Sequence, residues 1–221
     1  MEFKIRKLRE LIAATVGEDL KAEGFSIDKS LTWVTKKVNK KNKIKCFINC
    51  YDYTPTKIEF RLIFQIWVNE IVIEMERYHE YIGEPFQKEW PVFSFCEGDF
   101  NSETRHLEHK IRNAYTHIIT EANEVDAAIK ACRITLKEEI IPILPTFSIF
   151  ENLQEYVLQN YKDIRESTLT KPSIIAMKLK GKAELNMLVQ HFWRDLKFEQ
   201  KPKEDIFRKY LEHITEYSES E

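Results

Sequence analysis

The segment from Lys57 to Val68 alternates between two kinds of side chain. Its even positions are all large and apolar: Ile58, Phe60, Leu62, Phe64, Ile66 and Val68. Successive side chains of a strand point to opposite faces of the sheet, so this pattern predicts a long strand with one face in a core. The odd positions are mostly polar, but Ile63 and Trp67 interrupt them. The second face of the sheet is therefore expected to carry apolar side chains as well.

The residues around this segment predict an antiparallel meander. Alternating patterns over residues 31–38 and 44–53 predict two strands, and the turn-forming sequence at 39–42 joins them as a hairpin. Short connections between consecutive strands favour antiparallel pairing. Residues 91–96 predict a further strand. For residues 101–121 we expect a short helical turn followed by a strand.

Two segments of the first half have the spacing of amphipathic helices. Apolar residues recur at helical intervals over residues 2–23, and Gly24 follows where a glycine often ends a helix. The same spacing over residues 69–82 predicts a second helix, which Gly83 ends.

After Ala122 no segment has the pattern of a strand. The first helix of this part, over residues 125–140, is expected to end at Pro142 and Pro145, because proline disrupts a helix interior. Further helices are predicted over residues 150–162, 172–180, 182–197 and 203–217.

The predicted fold class is α+β, with an antiparallel sheet of about four or five strands, an N-terminal amphipathic helix on one face and a C-terminal helical subdomain. Residues 1–121 are predicted to form the sheet domain and residues 122–221 an all-helical subdomain, which we expect to pack together as one compact unit. The second sheet face also carries Phe47, Tyr51 and Tyr53. We expect the helices after Ala122 to cover it; the alternative is an open groove for a partner or ligand.

The sequence lacks the linear motifs of common catalytic sites. Its five glycines are too scattered for a phosphate-binding loop, and neither a nucleophile elbow nor a zinc-protease motif occurs. Two Glu-x-x-His pairs exist, Glu76 with His79 and Glu103 with His106, but random placement predicts about one such pair in a chain of this composition. We therefore predict no catalytic residue, metal or cofactor, and an enzyme without a linear motif remains the alternative.

The composition predicts a cytoplasmic protein without a membrane partner. The chain has no run of 18 or more apolar residues, and its charged N-terminus lacks the apolar stretch of a signal peptide. The four cysteines contain no Cys-x-x-Cys pair, which favours reduced thiols.

Charge is distributed unevenly along the chain. Residues 1–54 carry 12 Lys or Arg against 7 Asp or Glu, whereas residues 55–126 carry 7 against 14. The second predicted helix contains four glutamates: Glu70, Glu74, Glu76 and Glu80. With Ile63 and Trp67 on the sheet, they form our first candidate binding surface, for an unknown and basic protein partner.

A lysine-rich hairpin gives a second candidate surface. Six lysines lie within ten positions, with Trp33 nearby: Lys36, Lys37, Lys40, Lys41, Lys43 and Lys45. Lysines neutralise phosphates and aromatic rings stack on bases, so these residues could bind single-stranded nucleic acid. Lysines also protect exposed strands against edge-to-edge pairing, which is the structural alternative.

The order of elements at the start of the chain resembles a group of bacterial proteins of unknown function. Residues 20–25 (Leu-Lys-Ala-Glu-Gly-Phe) end the first helix, a strand bearing Trp33 follows, and a strand with Ile48 and Asn49 comes next. The resembling proteins combine an N-terminal helix, an antiparallel sheet and C-terminal helices, and some look like immunity proteins of toxin systems. The resemblance covers about residues 8–75 and implies a non-enzymatic, immunity-type binding protein; it carries no catalytic residue.

Overall fold

The structure is a computed structural model. It describes residues 5–28, 32–54, 57–89, 91–96, 100–101, 106–107, 117–160 and 209–210. The elements in the sheet half are α1 (Ile5–Ala22), β1 (Ser26–Ile27), β2 (Trp33–Lys37), β3 (Lys43–Thr54), β4 (Lys57–Trp67), α2 (Asn69–Ile82), β5 (Phe93–Cys96), β6 (Phe100–Asn101), β7 (His106–Leu107) and β8 (His117–Ile119). They are followed by a 3-10 turn (Ala122–Glu124), α3 (Val125–Thr135), a π-helical segment (Leu136–Ile140), α4 (Ile141–Ser148) and α5 (Phe150–Asn160). Lys209 and Tyr210 are also helical.

The six-stranded antiparallel sheet confirms the predicted α+β class. Its strands follow the order β1-β2-β3-β4-β5, and β8 pairs with the first part of β4. The long β3–β4 pair sets the register, with Cys46 opposite Phe64 and Phe47 opposite Ile63. A separate two-stranded ladder joins β6 and β7.

The first face of the sheet forms the core, as the alternation in β4 predicts. Phe60, Leu62, Phe64 and Ile66 are fully buried. Helix α1 packs on this face through an equally buried stripe: Leu8, Ile12, Val16 and Leu20. Burying such side chains is worth roughly 1.5–3 kcal/mol each, so this helix–sheet contact provides much of the driving force for folding.

The described C-terminal helices pack on the same face as α1. The ring of Phe147 in α4 lies 5.0 Å from Phe93 and 5.5 Å from Phe95, both on β5. Phe93 and Phe95 stand opposite Ile66 and Phe64, so they belong to the first face. The expectation that helices after Ala122 cover the second face is therefore wrong for α3, α4 and α5. These helices instead extend the single core that α1 and the sheet begin.

The prolines near residue 143 do not end the helix, contrary to the prediction. The helical path continues from α3 through the π-helical segment into α4, which contains Pro142 in its first turn and Pro145 inside. A π-helical segment changes the hydrogen-bonding register, and a proline near the start of a helix removes an N–H that has no intrahelical acceptor. The helix ends instead at Ser148, whose hydroxyl donates a hydrogen bond to the carbonyl of Pro145 (2.9 Å).

The remaining predictions have mixed outcomes. The strand expected near the end of residues 101–121 is present as β8, but residues 106–107 pair as a strand where a helical turn was expected. Helix α5 agrees with its prediction as far as Asn160. The helices predicted over 172–180 and 182–197 lie outside the described residues. Within the described part of the chain, no helix is long and apolar enough to cross a membrane.

Candidate binding surfaces

Helix α2 has one buried side and one exposed side. It begins directly after β4 and ends at Gly83, whose φ of 70° is the left-handed conformation that glycine adopts without strain. Ile71, Met75, Tyr78 and His79 are buried. Because these residues fall on one helical side, the opposite side faces outward.

The outward side of α2 combines apolar and acidic side chains. Ile73 is 41% exposed and Tyr81 is 44% exposed, both large fractions for such residues. They lie eight positions apart and so share one stripe of the helix, with Arg77 between them. Glu70 and Glu80 are exposed beside this stripe. We call this the α2 surface: Glu70, Ile73, Arg77, Glu80 and Tyr81.

Two of the four glutamates predicted to bind a partner already have cationic neighbours. The guanidinium of Arg77 contacts the carboxylate of Glu74 at 2.5 Å. The ammonium of Lys88 lies 2.8 Å from a carboxylate oxygen of Glu76. Residues 69–84 still contain five glutamates against a single arginine, so the electrostatic field of α2 is negative. Surface ion pairs of this kind contribute little stability, so Glu74 and Glu76 act mainly through their negative charge.

A residue from the end of the chain borders the α2 surface. The ring of Tyr210 lies 4.9 Å from the ring of Tyr78 and 5.2 Å from that of Tyr81. Tyr210 is 4% exposed. Burial, with a smaller effect from Glu74, raises the pKa of the Tyr210 phenol to about 12, so it stays protonated at neutral pH. This contact could not be predicted from the sequence, because 129 positions separate Tyr210 from Tyr81 and neither belongs to a motif.

His79 lies on the buried side of α2. Its ring is 5.3 Å from the ring of Phe86, and burial lowers the pKa of its imidazole, with Glu84 acting in the opposite direction. Its sequence partner Glu76 is engaged with Lys88. Among the described residues, no three His, Cys, Asp or Glu side chains lie close enough together to hold a metal ion. Glu103 lies outside the described residues.

The second face of the sheet carries a half-buried apolar row. Trp33, Phe47, Ile63 and Cys96 stand opposite one another across β2, β3, β4 and β5. The rings of Trp33 and Phe47 are stacked with centroids 4.6 Å apart. None of the four belongs to the main core formed by the described residues.

Trp67 lies on this face but is not an exposed anchor for a partner. Its side chain is 3% exposed. The ammonium groups of Lys43 and Lys45 lie 4.8 Å and 5.1 Å from its ring centroid, and that of Lys45 also lies 5.3 Å from the ring of Trp33. Cation–π contacts of this kind are worth about 0.5–2 kcal/mol each. The indole ring of Trp67 is therefore covered by the side chains of two hairpin lysines, Lys43 and Lys45.

The indole N–H of Trp67 has no hydrogen-bond acceptor within the described part of the chain. Leaving a buried donor unsatisfied costs roughly 1–3 kcal/mol, and buried tryptophans usually find a partner. The surface around Trp67 thus combines a hydrogen-bond donor that lacks an acceptor in the described residues with two nearby cations.

The six hairpin lysines do not form one surface. Lys36 stands opposite Ile44, on the core side of the sheet, and its ammonium lies 5.6 Å from the ring of Phe25. Lys43 and Lys45 are half-buried on the second face. The three exposed lysines lie at the end of the hairpin: Lys37, Lys40 and Lys41. Burial lowers the pKa of the Lys43 ammonium, repulsion from Lys45 lowers it further, and Glu89 partly opposes both.

Asn42 fixes the hairpin turn to two helices. Its side-chain N–H donates to the carbonyl of Ser148 in α4 (3.0 Å), and its side-chain oxygen accepts the backbone N–H of Asn69, the first residue of α2 (2.9 Å). Asn42 is 5% exposed, although it lies in a turn. The oxygen of Asn39 accepts the backbone N–H of Lys41 and of Asn42, which closes the turn. The side-chain amide of Asn42 therefore sets the position of the α2 surface relative to the hairpin.

No family model, curated protein or solved structure matches the chain.

Proposed function

We propose that this chain is a non-enzymatic binding protein that recognises a basic protein partner through the α2 surface. The observation that carries the proposal is the exposure of Ile73 and Tyr81 on one stripe of a helix rich in glutamate. Exposed apolar anchors supply contact area, and the surrounding negative charge accelerates encounter with a positive partner. The four cysteines are thiols and not disulfides, which supports a cytoplasmic location.

The acidic residues have different parts in this proposal. Glu70 and Glu80 are exposed on the α2 surface and meet the partner first. Glu74 and Glu76 are held in ion pairs and contribute mainly to the field. Ile63 and Trp67, the sheet residues of the first candidate surface, lie on the second face and not on this helix.

Affinity purification from the native host tests the proposal. We expect the wild-type protein to capture a basic protein, and raised salt to release it. The double variant Glu70→Lys/Glu80→Lys should capture at least about tenfold less of that protein. The variant Ile73→Ser/Tyr81→Ser should lose the same protein without changing the charge. Glu151→Lys/Glu155→Lys is the matched control, because both glutamates are exposed on α5. The proposal is wrong if the wild type, both test variants and the control capture the same amount of this protein.

An immunity-type inhibitor of a basic toxin is the specific form of this function that we favour. It is supported by the resemblance over about residues 8–75 and by the negative field of α2. The test is co-expression of this chain with the product of its neighbouring gene in a heterologous host. Growth arrest by the neighbour, relieved by the wild type and not by Glu70→Lys/Glu80→Lys, is the expected result. A neighbour that is harmless, or equally relieved by both proteins, removes the immunity assignment.

A second candidate function is binding of single-stranded nucleic acid at the end of the hairpin. The exposure of Lys37, Lys40 and Lys41 favours it. The position of Trp33 counts against it, because Trp33 pairs with Phe47 at the far end of β2 and not beside the exposed lysines of the turn. Titration of labelled oligonucleotides at low salt should give binding that weakens with added salt and with Lys40→Ala/Lys41→Ala. Absence of binding, or binding without salt dependence, excludes this candidate.

A further inference from the structure

We propose that the second face of the sheet holds a phosphate-binding site built from Lys43, Lys45 and Trp67. We call these three residues the Trp67 site. It is separate from the α2 surface and does not depend on the function proposed above. The ligand is a small molecule that carries a phosphate group, either inorganic phosphate or a nucleoside monophosphate.

The two lysines are neighbouring cations on the sheet, and Glu89 is a carboxylate whose charge acts on Lys43. Within the described part of the chain, neither Lys43 nor Lys45 forms an ion pair. Both are half-buried, and both ammonium groups lie within about 5 Å of the same indole ring. Lys43 and Lys45 are two positions apart on β3 and so project from the same face. Their mutual repulsion is part of the reason that the pKa of Lys43 is lowered. An anion bound between them removes that repulsion.

Trp67 adds the second feature of the site. Its indole N–H is buried and has no acceptor in the described residues. A phosphate oxygen is a strong acceptor, and hydrogen bonds to charged acceptors are stronger than neutral ones. The lysine stems that lie over the ring are flexible, so a small movement of either one brings an oxyanion to the N–H. Lysine pairs bind phosphate as point charges, which suits a site without arginine.

The stacked pair of Trp33 and Phe47 extends the site in one direction. Lys45 lies over the rings of both Trp33 and Trp67 and therefore connects the two. Aromatic rings stack on nucleobases, so a nucleoside monophosphate could place its base toward Trp33 and its phosphate toward Trp67. Inorganic phosphate has no base to stack on Trp33. Its affinity therefore measures the contribution of the two lysines and the Trp67 indole alone.

The indole N–H provides the experimental readout. The chain has four tryptophans, so an ¹⁵N-labelled sample gives up to four indole signals, and Trp67→Phe assigns one of them. Titration with phosphate at constant ionic strength should shift the Trp67 signal saturably, with a dissociation constant of about 1 mM or tighter. The shift should weaken at least fivefold in Lys43→Met and in Lys45→Met, which keep the apolar stem. Lys130→Met, on the exposed side of α3, is the charge-matched control and should leave the affinity unchanged.

Three arms separate the outcomes. Inorganic phosphate that binds as well as a nucleoside monophosphate identifies a free-phosphate site. Tighter binding of the nucleotide, reduced by Trp33→Leu, identifies a nucleotide site. Acetate that binds as well as phosphate overturns the assignment to phosphate. The site is also overturned by the absence of a saturable shift, or by a shift that Lys43→Met and Lys45→Met leave intact while their other amide signals show a native fold.

Discussion

At the scale of single residues, Asn42 connects parts of the chain that are distant in sequence. Its amide satisfies a carbonyl of α4 and the first N–H of α2. We expect Asn42→Ala to lower the free energy of unfolding by roughly 1–3 kcal/mol, because the carbonyl of buried Ser148 and the N–H of half-buried Asn69 lose their partner. Asn42→Asp keeps the acceptor for Asn69 and should lose less. Urea denaturation measures both, and a loss below about 0.5 kcal/mol for Asn42→Ala would contradict this role.

The contribution of Asn42 could not be predicted from the sequence. A turn asparagine ordinarily bonds to its own neighbours, as Asn39 does here. The partners of Asn42 come from elements 27 and 106 positions away and are known only after the fold is complete. The same holds for Tyr210, which reaches α2 from the end of the chain. The burial of Trp67 also depends on neighbours that periodicity does not specify.

At the scale of elements, the spacing of apolar residues predicted the elements whose buried side is regular. It failed where a helix is irregular. The core face of β4 and the bounds of α2 follow directly from the spacing of their apolar residues. The continuation of the helix past Pro142 depends on the π-helical segment before it, for which the sequence has no marker. The choice of sheet face by α3, α4 and α5 was missed because both faces carry apolar side chains.

The C-terminus of α2 provides a test at this scale. Gly83 has φ 70° and ψ 20°, and no atom lies within 4 Å of the place where a Cβ would be. We therefore expect Gly83→Ala to lower the free energy of unfolding by about 1 kcal/mol through backbone strain alone. Gly83→Asn should cost less, because asparagine tolerates the left-handed conformation better. Thermal denaturation measures the order; an alanine variant as stable as wild type would show that α2 ends differently in solution.

At the scale of the whole molecule, an ion-pair cluster joins the first helix to the C-terminal helices. The carboxylate of Asp19 on α1 accepts hydrogen bonds from the guanidinium of Arg133 at 2.6 Å and 3.0 Å. The ammonium of Lys137 lies 2.8 Å from the same carboxylate. Asp19 is 9% exposed. These contacts fix α1 against α3 and the π-helical segment, and so hold the two halves of the chain together.

This cluster makes part of the stability dependent on pH. The Arg133 hydrogen bond, aided by Lys137 and opposed by burial, holds the pKa of Asp19 below its usual value of 3.8. A lowered folded-state pKa means that the stabilisation is complete above pH 3.8 and disappears as the pH falls through the folded-state value. We expect Asp19→Asn to lower the free energy of unfolding by roughly 1–2 kcal/mol at pH 7, with the difference from wild type shrinking as the pH falls below 3.8. Urea denaturation across this range measures it.

Glu23→Gln is the control for a change of charge on the same part of the molecule, because Glu23 is exposed just after α1. Its difference from wild type should stay within about 0.5 kcal/mol at every pH. If Asp19→Asn behaves like this control at pH 7, the carboxylate does not hold α1 to α3. If the deficit of Asp19→Asn is just as large near pH 2, the lost stability comes from packing and not from the charged carboxylate.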